Sequence, residues 1–170
     1  MLKVFKCNQD AIVPSYATAR SACFDVHACL SQITGVKAKL RAALRHYEED
    51  VLLKVDADQV RIPPGGRALI PTGLKFDIPE NHSLRLHPRS GLSFKHGLNL
   101  SNCEGVIDED YIEEVFVSVC NNSSTPIIIK HGDRICQGEL VLDSRCAIDL
   151  TESPPTAKSN RSGGFGSTGT

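Results

Sequence analysis

From Asp58 to Leu142 the sequence is a succession of short alternating segments cut by turns, and this rhythm restricts the fold more than any other feature. Leu74, Phe76 and Ile78 alternate with Lys75 and Asp77, and Leu84 and Leu86 alternate with Ser83, Arg85 and His87. Val115, Val117 and Val119 occupy every second position. Strand side chains project to opposite faces with a period of two, so each segment carries one apolar face to bury. Between the segments stand turn-formers: Pro63-Pro64-Gly65-Gly66, Pro71-Thr72-Gly73, Pro79-Glu80-Asn81, Asn121 to Pro126 and His131-Gly132-Asp133. Ala68 to Ile70, Ile127 to Ile129 and Leu140 to Leu142 complete the series, with brief strands at Lys3 to Cys7 and around Phe24 and Val26 upstream. Strands this short and this closely spaced predict an all-β sandwich or jelly roll. At 170 residues the chain is read as one domain with a real core.

One segment has a different texture. Between Gly35 and Val55, Leu40, Leu44, Tyr47 and Val51 fall at helical spacing, with Lys37, Lys39, Arg41 and Arg45 between them and Glu48, Glu49 and Asp50 closing the stretch. The spacing predicts an amphipathic helix over 36–53 inside an insertion of about 31–56, displayed on the surface as a possible contact for a protein partner. Bases at its start and acids at its end oppose the helix dipole, so packing has to stabilise it.

Charge and cysteine usage narrow the function. A formal net charge of -1 supplies no field for holding nucleic acid or an anionic membrane. No apolar run is long enough to span a bilayer, and Met1-Leu2-Lys3-Val4-Phe5-Lys6 lacks the apolar core of a signal peptide. The 7 cysteines include no Cys-x-x-Cys pair, which suggests reduced thiols and a cytoplasmic setting, with a nuclear or viral-host one left open. The 6 histidines show no ligand spacing, so no protein-bound transition metal is expected.

Chemistry concentrates in four places. Gly105-Val106-Ile107-Asp108-Glu109-Asp110-Tyr111 sets three acids on a turn between extended segments, with Asn102 just before it. A carboxylate held rigidly on a hairpin suits a general base acting on water, although a polar hairpin tip uses the same residue types. Pro88-Arg89-Ser90-Gly91-Leu92 offers a guanidinium fork, a hydroxyl and room for close backbone approach, which suit phosphate oxygens; a turn with a surface arginine is the plainer reading. In Gly132-Asp133-Arg134-Ile135-Cys136-Gln137 the acid and the arginine can pair within the turn while Gln137 positions a water or a phosphate. The last twenty residues, rich in Ser, Thr, Pro and Gly, read as a flexible arm over 151–170 following a 1–150 domain. The arm ends in Ser162-Gly163-Gly164-Phe165-Gly166-Ser167-Thr168-Gly169, whose backbone N–H groups and hydroxyls can wrap a phosphate. Together these parts describe hydrolysis of a phosphate ester or anhydride, with the reacting groups positioned by hydrogen bonds.

Taken in order, Ala17 to Ala28, Pro88 to Gly97, Asn102 to Asn121, Gly132 to Gln137 and Ser162 to Gly169 resemble the five motifs of the trimeric dUTP diphosphatase family, and Pro71-Thr72-Gly73-Leu74 extends the likeness. The resemblance implies a distorted jelly-roll subunit, a homotrimer with active sites at subunit interfaces, and hydrolysis of dUTP to dUMP and pyrophosphate with Mg²⁺ carried on the triphosphate. By motif match, Asp108 would activate the attacking water, with Gln137 beside it. Asn102 and the backbone of Gly105, Val106 and Ile107 would read the uracil edge, and Tyr111 would pack under the deoxyribose. Arg89, Ser90 and Gly91 would hold phosphate oxygens. Phe165 would stack on the base as the arm closes, with Gly166, Ser167 and Thr168 at the phosphates. Asp25 would stand near the metal's water shell. A site that hydrogen-bonds its correct base rejects a wrong one strongly, because the mismatch leaves buried polar groups unpaired.

Several residues depart from the family's pattern. Arg20 and Cys23 stand where glycine is usual, and Gly138-Glu139 follows Gln137 where apolar residues are usual. Asn160 takes the place of the arm's arginine with Arg161 one position later, so either Arg161 makes that phosphate contact through a shifted backbone or the contact is weaker. Two other readings compete with dUTP hydrolysis: the related dCTP deaminase activity, and a regulatory or protein-binding module that uses the helical insertion.

Overall fold

The computed structural model describes residues 1–41 and 48–160. In chain order the elements are β1 (Lys3–Lys6), β2 (Ser15–Tyr16), β3 (Phe24–His27), β4 (Gly35–Arg41), β5 (Glu48–Asp56), β6 (Gln59–Ile62), β7 (Arg67–Pro71), β8 (Leu74–Asp77) and β9 (His82–His87). A short helix α1 (Ser90–His96) precedes β10 (Leu98–Leu100), β11 (Gly105–Ile107), β12 (Phe116–Asn121), β13 (Ile127–Lys130) and β14 (Arg134–Leu142). Every described pairing is antiparallel. One sheet runs β10-β12-β7-β4-β5-β6-β13, a second runs β11-β9-β14-β3-β2, and β1 pairs with β8. The all-β jelly-roll expectation is borne out.

The alternation read from the sequence is the alternation that is buried. Val117, Val119 and Asn121 of β12 point inward while Phe116 is exposed, and Leu84 and Leu86 of β9 point inward while Arg85 and His87 do not. With Val26, Ile62, Ile70, Ile129 and Ile135 these residues form one core drawing on both large sheets. Asn121, the polar member, is fully buried yet satisfied. Its Nδ2 donates to Ile62 O at 3.0 Å and Thr125 O at 2.8 Å, and its Oδ1 accepts from Ser123 N and Oγ. Burying an amide is tolerated on these terms, since unpaired polar atoms cost about 1–3 kcal/mol each.

Between Gly35 and Asp56 the helix expectation fails. The segment is a β-hairpin in which Gly35 pairs with Lys54 and Arg41 with Glu48, and β4 continues onto β7 through Ala38–Ala68. Two physical facts favour strands. Val36 and Val55 are buried while Lys37, Asp50 and Leu52 are exposed, a period of two that the leucine spacing masked. The segregated charges that oppose a helix dipole face each other in an antiparallel pair: Lys39 Nζ lies 3.2 Å from Asp50 Oδ1, its register partner. The insertion is therefore sheet, continuous with β6 and β7, and no displayed helix is present among its described residues. Leu44 and Tyr47 lie outside the described residues.

Candidate active site

Three neighbouring strands of the second sheet carry the polar row on which the site is built. In the registers of β14 with β3 and with β9, Gln137 faces Asp25 on one side and His87 on the other. Cross-strand partners share a face, so all three project from the outer surface of the sheet. The register of β14 shifts between Arg134 and Cys136, placing an extra residue opposite β3. The bulge turns Ile135 and Cys136 both inward and returns Arg134 to the outer face, beside Asp25. Arg134 Nη1 donates to Asp25 Oδ2 at 3.2 Å. Arg89 approaches from the end of β9, with its Nε 3.3 Å from Asp25 Oδ1 and its Nη1 donating to Arg134 O at 3.0 Å. The pairing of Asp133 with Arg134 expected from sequence is corrected: Asp133 instead accepts Lys130 N at 2.8 Å and closes its own turn.

Asp25 is thus a buried carboxylate, 8% exposed, held between two guanidinium groups. The Arg89 contact is an ion pair without hydrogen-bond geometry, so Oδ1 is a buried oxygen with no donor on it. His27, two residues on, is held below the ordinary histidine pKa first by burial; Asp25 pulls it up and Arg134 and Arg89 push it down. Ser90 and Gly91 follow Arg89 as the first residues of α1, both exposed. The expected arginine-serine turn is in fact a helix start, closed at its far end by Gly97 in the left-handed region (φ 71°), with Lys95 and His96 in the last turn where the dipole favours them.

The acidic segment is arranged differently from the expected hairpin. Residues of β11 do not pair with the valine strand; Gly105, Val106 and Ile107 pair with Leu86, Arg85 and Leu84 of β9, whereas β12 belongs to the other sheet. Asn102 precedes β11 in a tight turn, where Glu104 N donates to Asn102 O at 2.7 Å and Cys103 takes φ 63°. Past β11 the chain turns again, with Tyr111 N donating to Asp108 O at 3.1 Å and the Tyr111 hydroxyl to Glu114 O at 3.0 Å. Of the three acids, Glu109 is clamped, accepting from Asn81 N at 2.6 Å and Arg145 Nη1 at 3.1 Å; the Arg145 hydrogen bond holds its carboxyl below the ordinary range. Asp108 and Asp110 on either side are exposed. Anchoring the middle acid presents Asp108 on a braced turn.

The register separates two groups within one chain. Ile107 pairs with Leu84, so Asp108 emerges level with Ser83 at the start of β9, whereas Arg89 lies beyond its end. Six residues at about 3.4 Å each put roughly 20 Å between them. Asp25, Arg89, Ser90, Gly91 and Gln137 lie toward one end of β9, with Asn102, ahead of Gly105, at that same end; Asp108 and Tyr111, joined in one turn, lie at the other. Arg161, Phe165, Gly166, Ser167 and Thr168 lie outside the described residues. Sequence reasoning missed His87 and the role of Arg134, since only strand register and a bulge place them on the site's face.

The model of the dUTPase family matches residues 38–169. The chain belongs to the dUTPase family. Its curated relatives include the deoxyuridine 5'-triphosphate nucleotidohydrolase of Nautilia profundicola, 36% identical over 169 residues and covering 99% of this chain and 98% of the relative. The enzyme of that name from Finegoldia magna is 43% identical over 128 residues, covering 74% of this chain and 82% of the relative. Among solved structures, a mutant dUTPase of Staphylococcus bacteriophage 80alpha with dUpNHpp is 20% identical, covers 100% of this chain and 99% of that one, and superposes with a TM-score of 0.74. The dUTPase from Streptococcus mutans is 22% identical, with a TM-score of 0.62 over 88% of this chain and 98% of that one. These structural likenesses concern the dUTPase fold, and the family membership expected from the motifs is borne out.

Proposed function

We propose that this dUTPase-family chain hydrolyses dUTP to dUMP and pyrophosphate, with Asp108 as general base. The observation that carries the reading is the braced turn that presents Asp108 while Glu109 is tied to Asn81 and Arg145. Asp108 takes a proton from a water whose oxygen attacks the α-phosphorus. The bond from that phosphorus to the bridging oxygen breaks, and pyrophosphate leaves. Arg89 and the Ser90 hydroxyl hold phosphate oxygens, Gln137 positions the attacking water, and Asp25 keeps Arg89 aimed through their ion pair. Asn102 with the Gly105–Ile107 backbone reads the uracil edge, and Tyr111 backs the sugar.

Mg²⁺ bound to the triphosphate supplies charge neutralisation at the phosphates. The residues present suit it: the donorless Asp25 Oδ1 is an acceptor for a metal-bound water. A mutant dUTPase of phage phi11 of S. aureus, 19% identical, is described with a structural Mg(II) ion.

Because one chain holds Asp108 and Arg89 at opposite ends of β9, the complete site forms between copies, and the assembly is taken to be the homotrimer that the family resemblance implies. The 1–150 barrel carries these groups, and the 151–170 arm closes over the nucleotide, bringing Arg161, Phe165, Gly166, Ser167 and Thr168 to it. Intracellular reduced thiols and a cytoplasmic setting accord with this reading.

The test is pyrophosphate release from dUTP, dCTP, dTTP and UTP with Mg²⁺, comparing the full chain, a chain truncated after Thr156, and Asp108→Asn. Release from dUTP alone is expected, lost on truncation and lowered on the order of 10²–10⁴-fold by Asp108→Asn. Ammonia release from dCTP, or unchanged turnover in Asp108→Asn, overturns the reading.

A further inference from the structure

One step along the same sheet face, three side chains converge that the phosphate chemistry does not use. Cys23 lies two residues before Asp25, Glu139 two after Gln137, and His87 two before Arg89. Their sulfur, carboxylate and imidazole atoms all lie within 4.8 Å of one another. His87 Nε2 is 3.1 Å from Glu139 Oε2, and its Nδ1 is 3.6 Å from Glu104 Oε1. We infer that Cys23, His87 and Glu139 form a binding site for a thiophilic divalent transition-metal ion of the zinc type, separate from the nucleotide's Mg²⁺.

The donor set argues for that class. Magnesium takes oxygen ligands in an octahedron, whereas thiolate, imidazole and carboxylate together suit Zn²⁺ in a tetrahedron. Ligands bound to Zn²⁺ at about 2.0–2.3 Å stand roughly 3.3–3.8 Å apart, so gaps of up to 4.8 Å close by side-chain rotation. Thiolate and carboxylate neutralise the ion. Coordination expels the thiol proton to solvent, and water fills the fourth position. With Nε2 on the metal, Nδ1–H points at Glu104, the carboxylate that fixes a ligating imidazole in such sites. Burial and the neighbouring Glu139 hold the Cys23 thiol above its ordinary pKa.

The packing explains why the groups meet. Gly138 pairs with Phe24, and a Cβ on Gly138 would stand 2.4 Å from the Phe24 ring, so the ring seats on bare backbone. That contact holds β3 close to β14 at the next register step, where Cys23 and Glu139 lie side by side. An ion there staples β3, which carries Asp25, and β14, which carries Gln137, to the end of β9 just before Arg89.

The experiment titrates Co²⁺ into the chelator-stripped full chain without nucleotide. Expected is a thiolate-to-cobalt charge-transfer band with tetrahedral visible absorption, saturating at one ion per chain, displaced by Zn²⁺ and insensitive to excess Mg²⁺. Cys23→Ser should abolish the charge-transfer band, Glu139→Gln should weaken Co²⁺ binding at least about tenfold, and Cys7→Ser, at an exposed thiol at the end of β1, should leave it intact. Absence of the band, or its survival in Cys23→Ser, overturns the site. If Cys23→Ser does not fold by circular dichroism, Glu139→Gln decides, and unchanged Co²⁺ affinity there overturns it equally.

Discussion

Asp25 shows how one buried charge organises a polar cluster on the sheet. A carboxylate removed from water stays ionised only against strong compensation, and here two arginines from different elements provide it. Replacing it with alanine strands Arg89 while Arg134, 53% exposed, stays partly solvated. The expected loss is about 2 kcal/mol, below the 3–5 kcal/mol of a fully buried pair. Urea unfolding measures it, and kcat/KM for dUTP should fall further than stability alone implies. His27 makes a pH prediction at the same scale. Its folded pKa is lowered, chiefly by burial, so the unfolded chain protonates first. Its contribution is intact above the ordinary histidine value of about 6.5 and is lost as pH falls through that value toward the folded one. Urea midpoints at about pH 7.5 and about pH 5.5 should differ in the parent and converge in His27→Gln. Asp10 and Glu109, also shifted down but from carboxylate values, titrate in a more acidic window.

At the scale of elements, the second sheet depends on contacts that leave no room for change. The ring of Phe24, itself buried, occupies the space a side chain at residue 138 would need. Gly138→Ala is expected to cost about 1–3 kcal/mol through overpacking. It should also disturb the alignment of Gln137 with Asp25, seen as reduced turnover at temperatures where the variant is still folded; a wild-type melting curve would refute the tight contact. Gly73 is a second such point, with positive φ (68°) and Ala11 Cβ only 2.8 Å from where its own Cβ would be. The β4–β5 hairpin illustrates the opposite lesson. Its leucines fit a helix, its charges fit an antiparallel pair, and the charges identify the structure because the free edge of β7 accepts β4.

At the scale of the molecule, the proposed base Asp108 and the proposed phosphate-binding Arg89 stand roughly 20 Å apart on one chain, so the proposed mechanism needs a second copy to complete its site. Chains carrying Asp108→Asn and chains carrying Arg89→Ala should each be inactive alone. Co-expressed, they should recover part of the dUTP turnover, because mixed assemblies contain some sites with both residues intact. Steady-state kinetics on the purified mixture checks this, and failure to recover activity from correctly sized assemblies would place the whole site on one chain. The sequence by itself determined the strand rhythm, the buried faces, the family motifs and the chemical types of the site residues. These depend on local periodicity and on residues close together in the chain. Only the tertiary structure decided that the insertion is sheet, that β11 joins β9, that a bulge delivers Arg134 to Asp25, and that Cys23, His87 and Glu139 meet. Each of those follows from register between strands distant in sequence, where a shift of one residue reverses every side chain, and register is set by the packing of the whole core.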